Sequence, residues 1–270
     1  MKWITPNWPA PSNVNALMTT RQDGVSLAPF HSFNLGAHVG DNLEHVTENR
    51  EQLINLATLP TPPRWLNQTH STTVINLDLP TDTDLPNGDA SFTKQKNVVS
   101  TIMTADCLPL LICNKQGTQV AAVHAGWRGL VDGVIEETIA TFDVEPSELM
   151  VWLGAAIGSE AFEVGNDVRD AFITSDPKAA AGFTMKASTE SLSQENSISK
   201  MLKHEDDLID SANQKWFSDI YFLAELRLNH LGIHDIYGGE FCTYKQKDSF
   251  FSYRRDGQTG RMASLIWLTK

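Results

Sequence analysis

Apolar positions are densest between Val98 and Leu130, where VVSTIMTADCLPLLICNKQGTQVAAVHAGWRGL gives two apolar runs separated by the polar turn NKQGT. Short apolar runs bounded by turn residues predict buried strands. Cys107 falls beside one strand and His124 at the end of the other, so the pattern brings a thiol and an imidazole together. After His124 the chain makes a Gly-rich turn and enters a helical pattern, VDGVIEETIATF. MVWLGAAIG repeats the buried-strand signature, and SEAFEVGNDVRDAF predicts a turn followed by a helix.

Upstream, a turn is expected at Asp23 and Gly24, then a loop from His31 to Asp41. Leu43, Val46, Leu53, Ile54 and Ala57 recur at helical steps, with Asp41 as the expected cap and Arg50 at the middle. Pro60 to Pro63 ends that helix; strands are then expected around Trp65 and Leu66 and from Thr72 to Leu77, with His70 at their junction. Asp89, just before the central strand pair, reads as structural. The stretch near 185–214 is polar, rich in Ser and Glu and without sustained apolar period, which predicts a mobile surface insertion. From Lys215, the positions Trp216, Phe217, Ile220, Tyr221, Ala224, Leu228 and Leu231 predict one core-facing helix that Gly232 terminates. The last segment predicts a short strand, a loop and a hairpin around DGQTG, near which Arg254, Arg255 and Arg261 gather as an anion contact or as solvated charge.

Composition narrows the function classes. With 270 residues, 41% of them hydrophobic, the chain can bury a large core as one large domain or two small ones. A formal charge of −12 argues against nucleic acid and anionic membranes as partners, while leaving small anions open where Arg residues cluster. Three cysteines form neither a disulfide framework nor a zinc-ribbon spacing. The N-terminus has no signal-peptide pattern and no apolar run approaches the roughly 18 residues of a membrane span, so a cytoplasmic protein is expected.

Two chemistries suit Cys107 and His124: a metal pair, or a nucleophile with its base. A buried, purely apolar role for the Cys is the alternative. His70 would bring the set to three, the usual protein ligand count of a catalytic zinc. Asp106 is an acid or base candidate, although strand alternation separates it from Cys107 unless the chain bends there. Asn34, His38 and Arg50, with His31, are polar groups around a glycine-containing loop, suited to holding a phosphate or sugar. Arg128, in the turn after His124, is expected either to orient substrate or to form a structural ion pair. Met103 lies close enough in sequence to serve a copper site as a weak thioether ligand. The scattered histidines lack the clusters of a multicopper oxygen-reducing centre.

Taken together, TRQDGVS, FNLGAHVGD with the downstream NR, WLNQTH, TADCLPLLIC, VAAVHAGWRGL, WLGAAIG, FEVGNDV and FFSYRRDGQTGRMASLIW resemble the YfiH family over nearly the whole chain. Its members are described as multicopper polyphenol oxidase or laccase-like proteins and as broad-specificity purine nucleoside phosphorylases. The resemblance implies an α+β fold, a single domain over 1–270 with mixed β-sheets flanked by helices. It also implies a zinc triad, matching His70, Cys107 and His124. The implied activities are phosphorolysis of adenosine, inosine, guanosine and methylthioadenosine, adenosine deamination, and, in a related reading, hydrolytic editing of peptidoglycan precursors. Zinc would supply an activated water for deamination, with Asp106 as proton shuttle; Arg50, Asn34 and His38 would grip phosphate. A copper oxidase, a protein with a closed structural zinc and a metal-free Cys107 hydrolase are the competing readings. The chain departs from the family pattern at Asp23, where Gly is usual, and in the polar insertion.

Overall fold

Strand Leu108–Asn114 is buried at every position, yet its side chains serve two different cores. Leu110 and Ile112 pack on one side, Leu111 and Cys113 on the other, as strand alternation requires. This strand is central to the computed structural model, which describes residues 3–186 and 214–270. The six-stranded sheet containing it runs in the order Asp235–Gly238, Leu149–Leu153, Leu108–Asn114, Val120–Ala125, Ala90–Thr93 and Val74–Asn76. Its middle pairings are antiparallel and its two outermost pairings parallel.

A four-stranded antiparallel sheet, in the order Trp3–Ile4, Val14–Thr19, Met262–Leu268 and Ser100–Thr104, packs across one face of it. Met18, Ile102, Leu111, Trp152, Met262 and Ile266 fill the space between the sheets. On the far face of the six-stranded sheet, Leu110, Val151 and Val123 meet helix residues Leu130, Ile135 and Leu228. The outer face of the four-stranded sheet buries Leu17 and Leu265 against Leu53 of the helix Leu43–Leu56. The result is a mixed α+β architecture with sheets flanked by helices on both sides. Among the described residues no helix is long and apolar enough to cross a membrane.

Several sequence expectations are corrected. The helix expected from Lys215 begins only at Ile220: Trp216–Ser218 is a strand paired with Phe183–Met185 and Glu163–Val164, and the Asp219 side chain caps Ile220–His230 by accepting from the Phe222 N–H. The apolar spacing persists across that junction, which concealed the change of element. Asn42, not Asp41, caps Leu43–Leu56, while Asp41 accepts from Ser26 Oγ and Asn34 Nδ2. No strand forms at Trp65 and Leu66; flanking residues make isolated bridges to Ser100 and Asn87. The helical pattern after His124 breaks into Trp127–Asp132 and Val134–Ile139 at Gly133, whose φ of 102° lies in the left-handed region.

The hairpin expected around DGQTG is instead the short helix Tyr253–Asp256, capped by Ser252 Oγ, followed by a loop. Strand Met262–Leu268 then inserts between Val14–Thr19 and Ser100–Thr104. The expected insertion lies mostly outside the described residues. Its flanks meet, since Met185 pairs with Trp216 and the Lys186 N–H donates to the Lys215 carbonyl.

Candidate functional site

Strand Ser100–Thr104 belongs to one large sheet and Leu108–Asn114 to the other, so residues 105–107 cross between them. The crossing turns at Asp106, whose φ of 101° supplies the bend that the sequence pattern required. The Asp106 carboxylate accepts from Thr243 Oγ1 at 2.5 Å and from the Arg254 N–H at 2.7 Å, and its carbonyl accepts from the Ile157 N–H. Both carboxylate oxygens are thus engaged in anchoring the turn that presents Cys107.

His124 reaches Cys107 through strand pairing, with Pro109 opposite His124 and Leu108 opposite Ala125. Its Nδ1 lies 2.7 Å from Oδ1 of the fully buried Asp89. That contact directs Nε2 as the free ligand atom, an arrangement common behind metal-bound histidines. Asp89 also gathers the loop carrying His70: its carboxylate accepts backbone N–H bonds from Thr69 at 3.1 Å, His70 at 3.0 Å and Ser71 at 2.6 Å. His70 sits at φ 61° within this wrap. One carboxylate therefore positions two of the three expected ligands.

The ligand atoms of His70, Cys107 and His124 all lie within 4.8 Å of one another, and the two rings meet edge to face at 4.9 Å. Zinc lies about 2.0–2.3 Å from such donors, so they can close on a single ion. Gly126 makes the closure possible: a Cβ there would stand 2.5 Å from His70 Cδ2 and 3.3 Å from Cys107 Sγ. The donor set of one thiolate and two oriented imidazoles fits zinc and also accommodates copper.

Electrostatics match this assignment. Burial alone would raise the Cys107 thiol, but His124 and His70 bring it down to about 6. Burial would lower His124, yet Cys107 and Asp89 lift it to about 9. Asp89 itself stays well below the carboxylate range despite its burial, because His124 and Ser71 bond to its charged form. Cys113, with no such partners, is pushed up to about 12 by burial.

The triad opens into a cavity of about 400 Å³ whose other walls include His38, Gln68, Met103, Tyr253 and Arg261. Gln68 is locked against the Met103 backbone, donating to its carbonyl and accepting its N–H, both at 2.7 Å. Of the residues expected to bind phosphate or substrate, His38 lines this cavity. Asn34 is buried, its amide bonded to Gly36, Asp41 and the Arg261 N–H. Arg50 donates from Nε and Nη2 to the Leu35 carbonyl and lies 4.1 Å from the Trp65 ring centroid. Arg128 stacks over Trp127 at 4.3 Å. None of these three lines the cavity. Asp89, Gln68 and Tyr253 were not among the sequence candidates; only Asp89, an acid set immediately before a strand bordering that of His124, left a readable signal.

The family model described as multi-copper polyphenol oxidoreductase laccase matches residues 15–269. The chain belongs to this family. Within it, the YfiH-named relatives are close: it is 47% identical over 271 residues to the "Purine nucleoside phosphorylase YfiH" of Shigella flexneri, covering 99% of each chain. It is 48% identical over 267 residues to the "Purine nucleoside phosphorylase" of Haemophilus influenzae, again with 99% of each covered. Among solved structures, a Neisseria meningitidis protein superposes with TM-score 0.84 at 46% identity over 100% of both chains. YfiH of Bacillus licheniformis gives TM-score 0.80 at 26% identity, covering 95% of this chain and 93% of that one. The YfiH fold is therefore shared by relatives of widely different sequence.

Proposed function

We propose that this YfiH-family chain is a metal-dependent purine nucleoside phosphorylase acting on adenosine, inosine, guanosine and methylthioadenosine, with zinc held by His70, Cys107 and His124. The observation that carries this reading is the convergence of that triad on a cavity in a chain so similar, end to end, to relatives named as purine nucleoside phosphorylases. In phosphorolysis a phosphate oxygen forms a bond to ribose C1′ as the bond from C1′ to the purine nitrogen breaks. The base leaves with the bonding electrons and takes up a proton, giving free purine and ribose 1-phosphate. When bound, zinc supplies a Lewis acid at the cavity wall where negative charge must be stabilised.

The chain's own residues set the geometry around that centre. Asp89 keeps a proton on His124 Nδ1 and so fixes the orientation of the ring. Asp106 holds the crossing turn against Thr243 and Arg254, a positioning role in place of a free proton shuttle. Gln68 fixes the wall at Met103, and Tyr253, 62% exposed at the rim, offers an aromatic face to a purine. The same cavity would serve deamination of adenosine as a second activity, in a cytoplasmic enzyme. Met103, a cavity-wall thioether, and the laccase description of the matching family model favour copper as the second reading.

The deciding experiment follows products from adenosine and inosine, with and without phosphate, using metal-quantified protein and a Cys107→Ala control. Phosphate-dependent release of base with ribose 1-phosphate is expected from the wild type and not from the control. Inosine formed from adenosine without phosphate would establish deamination. Phenol oxidation by copper-loaded protein alone would establish the oxidase reading, and if no nucleoside product depended on Cys107, peptidoglycan precursors would be the next substrates.

A further inference from the structure

The chain has three cationic side chains near its last loop, and their surroundings separate them. Arg254 donates to the Glu163 carbonyl and packs against the Phe162 ring. Arg255 donates to the carbonyls of Thr243, Tyr244 and Phe250 and to Asp256. The wide groove of about 910 Å³ beside Arg255 and Arg21 offers no better anion site, because Arg21 donates to the carbonyls of His31 and Lys247. Only Arg261 of the three lines the cavity of the His70, Cys107 and His124 triad.

Arg261 is also seated by the loop in which the sequence suggested a phosphate grip. Its backbone N–H donates to Asn34 Oδ1 at 2.9 Å, and its carbonyl accepts from the Leu35 N–H at 3.2 Å. Gly36 leaves room for its stem: a Cβ there would stand 2.8 Å from Arg261 Cγ. Nη1 donates to the nearby carbonyls of Thr259 and Gly260, both at 3.0 Å, while Nε and Nη2 have no hydrogen-bond partner among the described residues. A partly buried guanidinium with an unspent donor edge is suited to bidentate recognition of an oxyanion.

The rest of the cavity completes the selection for an anion. Its described walls carry no carboxylate, whereas the chain as a whole is strongly acidic. His38 shares the cavity, and burial, then Arg261 and Arg50, lower its pKa. Arg261 is near enough to Cys107 and Asp106 to feel their charge, which places the cation beside the triad.

We propose that Arg261 and His38 form the phosphate subsite of this cavity, with Arg261 as the principal contact and Asn34 and Gly36 as its positioning residues. The assignment rests on the phosphorolysis reading. It replaces Arg50 as the anion contact and leaves Arg50 to brace the Leu35 turn against Trp65. Inorganic phosphate held here lies on the same cavity as a nucleoside positioned at the metal centre.

Two readouts test it on zinc-loaded full-length protein. Calorimetric titration with inorganic phosphate, which needs no turnover, compares wild type with Arg261→Gln, Arg261→Lys and Gly36→Ala; phosphorolysis kinetics then separate KM for phosphate from KM for inosine. Arg261→Gln is expected to weaken phosphate about 10- to 100-fold, as loss of a charged bidentate contact implies, with inosine KM unchanged within about twofold. Arg261→Lys should recover part of that loss, and Gly36→Ala should weaken phosphate although every charge remains. Unchanged zinc content and melting temperature identify folded variants. Phosphate affinity unmoved by Arg261→Gln, or an equal rise in inosine KM, would overturn the subsite. A wild type that binds phosphate through Arg261 but forms no ribose 1-phosphate would instead overturn the phosphorylase reading alone.

Discussion

Replacing Asp89 with Asn would set an amide N–H₂ against donors, because every side-chain contact of Asp89 accepts an N–H or O–H or faces His124 Nδ1. The expected cost is about 1–3 kcal/mol of stability from the mismatched buried group, together with a 10- to 100-fold loss of zinc affinity. Chelator competition and thermal melts measure the two separately. The metal-free protein should also show an acidic thiol. Cys107 falls from its ordinary 9.0 to about 6, so its thiolate ultraviolet absorbance should appear as pH rises through about 6, and His124→Gln should move that midpoint upward. The stabilising contribution of the lowered Cys107 is complete above 9.0 and fades as pH falls through about 6. That of the raised His124 is complete below 6.5 and is lost as pH rises through about 9. Thiolate and imidazolium therefore coexist in the metal-free fold between about 6 and about 9. At this scale the thiol and His124 were legible because paired apolar strands bring their ends together. Asp89 showed only as an acid before a strand; its bond to His124 depends on the Ala90–Val123 register that sets it alongside. Arg50 and Arg261 could not be ranked from sequence because spent and unspent donors look alike there.

Helix and strand boundaries carry their own tests. Gly126 begins the helix Trp127–Asp132, and Gly126→Ala should eject His70 or Cys107 from ligand distance, so that purified protein carries much less zinc while the sheets still form. Far from the site, Asp219→Ala removes the side-chain cap of Ile220–His230 and should cost about 1 kcal/mol, a fall of roughly 2–4 °C in melting temperature, without altering zinc content. The apolar runs at Leu108–Asn114, Val120–Ala125 and Leu149–Leu153 were readable because strands covered on both faces need no polar alternation. The strand at Trp216–Ser218 was unreadable for a related reason: three residues of it share the apolar spacing of the helix that follows.

Across the whole molecule, the triad sits where the chain crosses from the four-stranded to the six-stranded sheet, so a metal held there would brace that crossing. Adding zinc to metal-free protein at about a thousandfold excess over its dissociation constant should stabilise by about 4 kcal/mol and raise the melting temperature by roughly 8–16 °C. Cys107→Ser should largely abolish that rise, and chelator should reverse it in the wild type. The family resemblance implied mixed sheets flanked by helices, but the residue pattern could not say which strands would neighbour one another, because that order depends on contacts between distant segments. Strand Met262–Leu268, the last of the described strands in the chain, lies between Val14–Thr19 and Ser100–Thr104. During synthesis those two earlier strands leave the ribosome with the gap between them unfilled. Ser100–Thr104, which leads into the Cys107 turn, then waits for a partner more than half the chain away. A stalled nascent chain lacking Met262–Leu268 should thus hold no zinc, and the cell would first meet a competent catalyst only once translation has passed that strand.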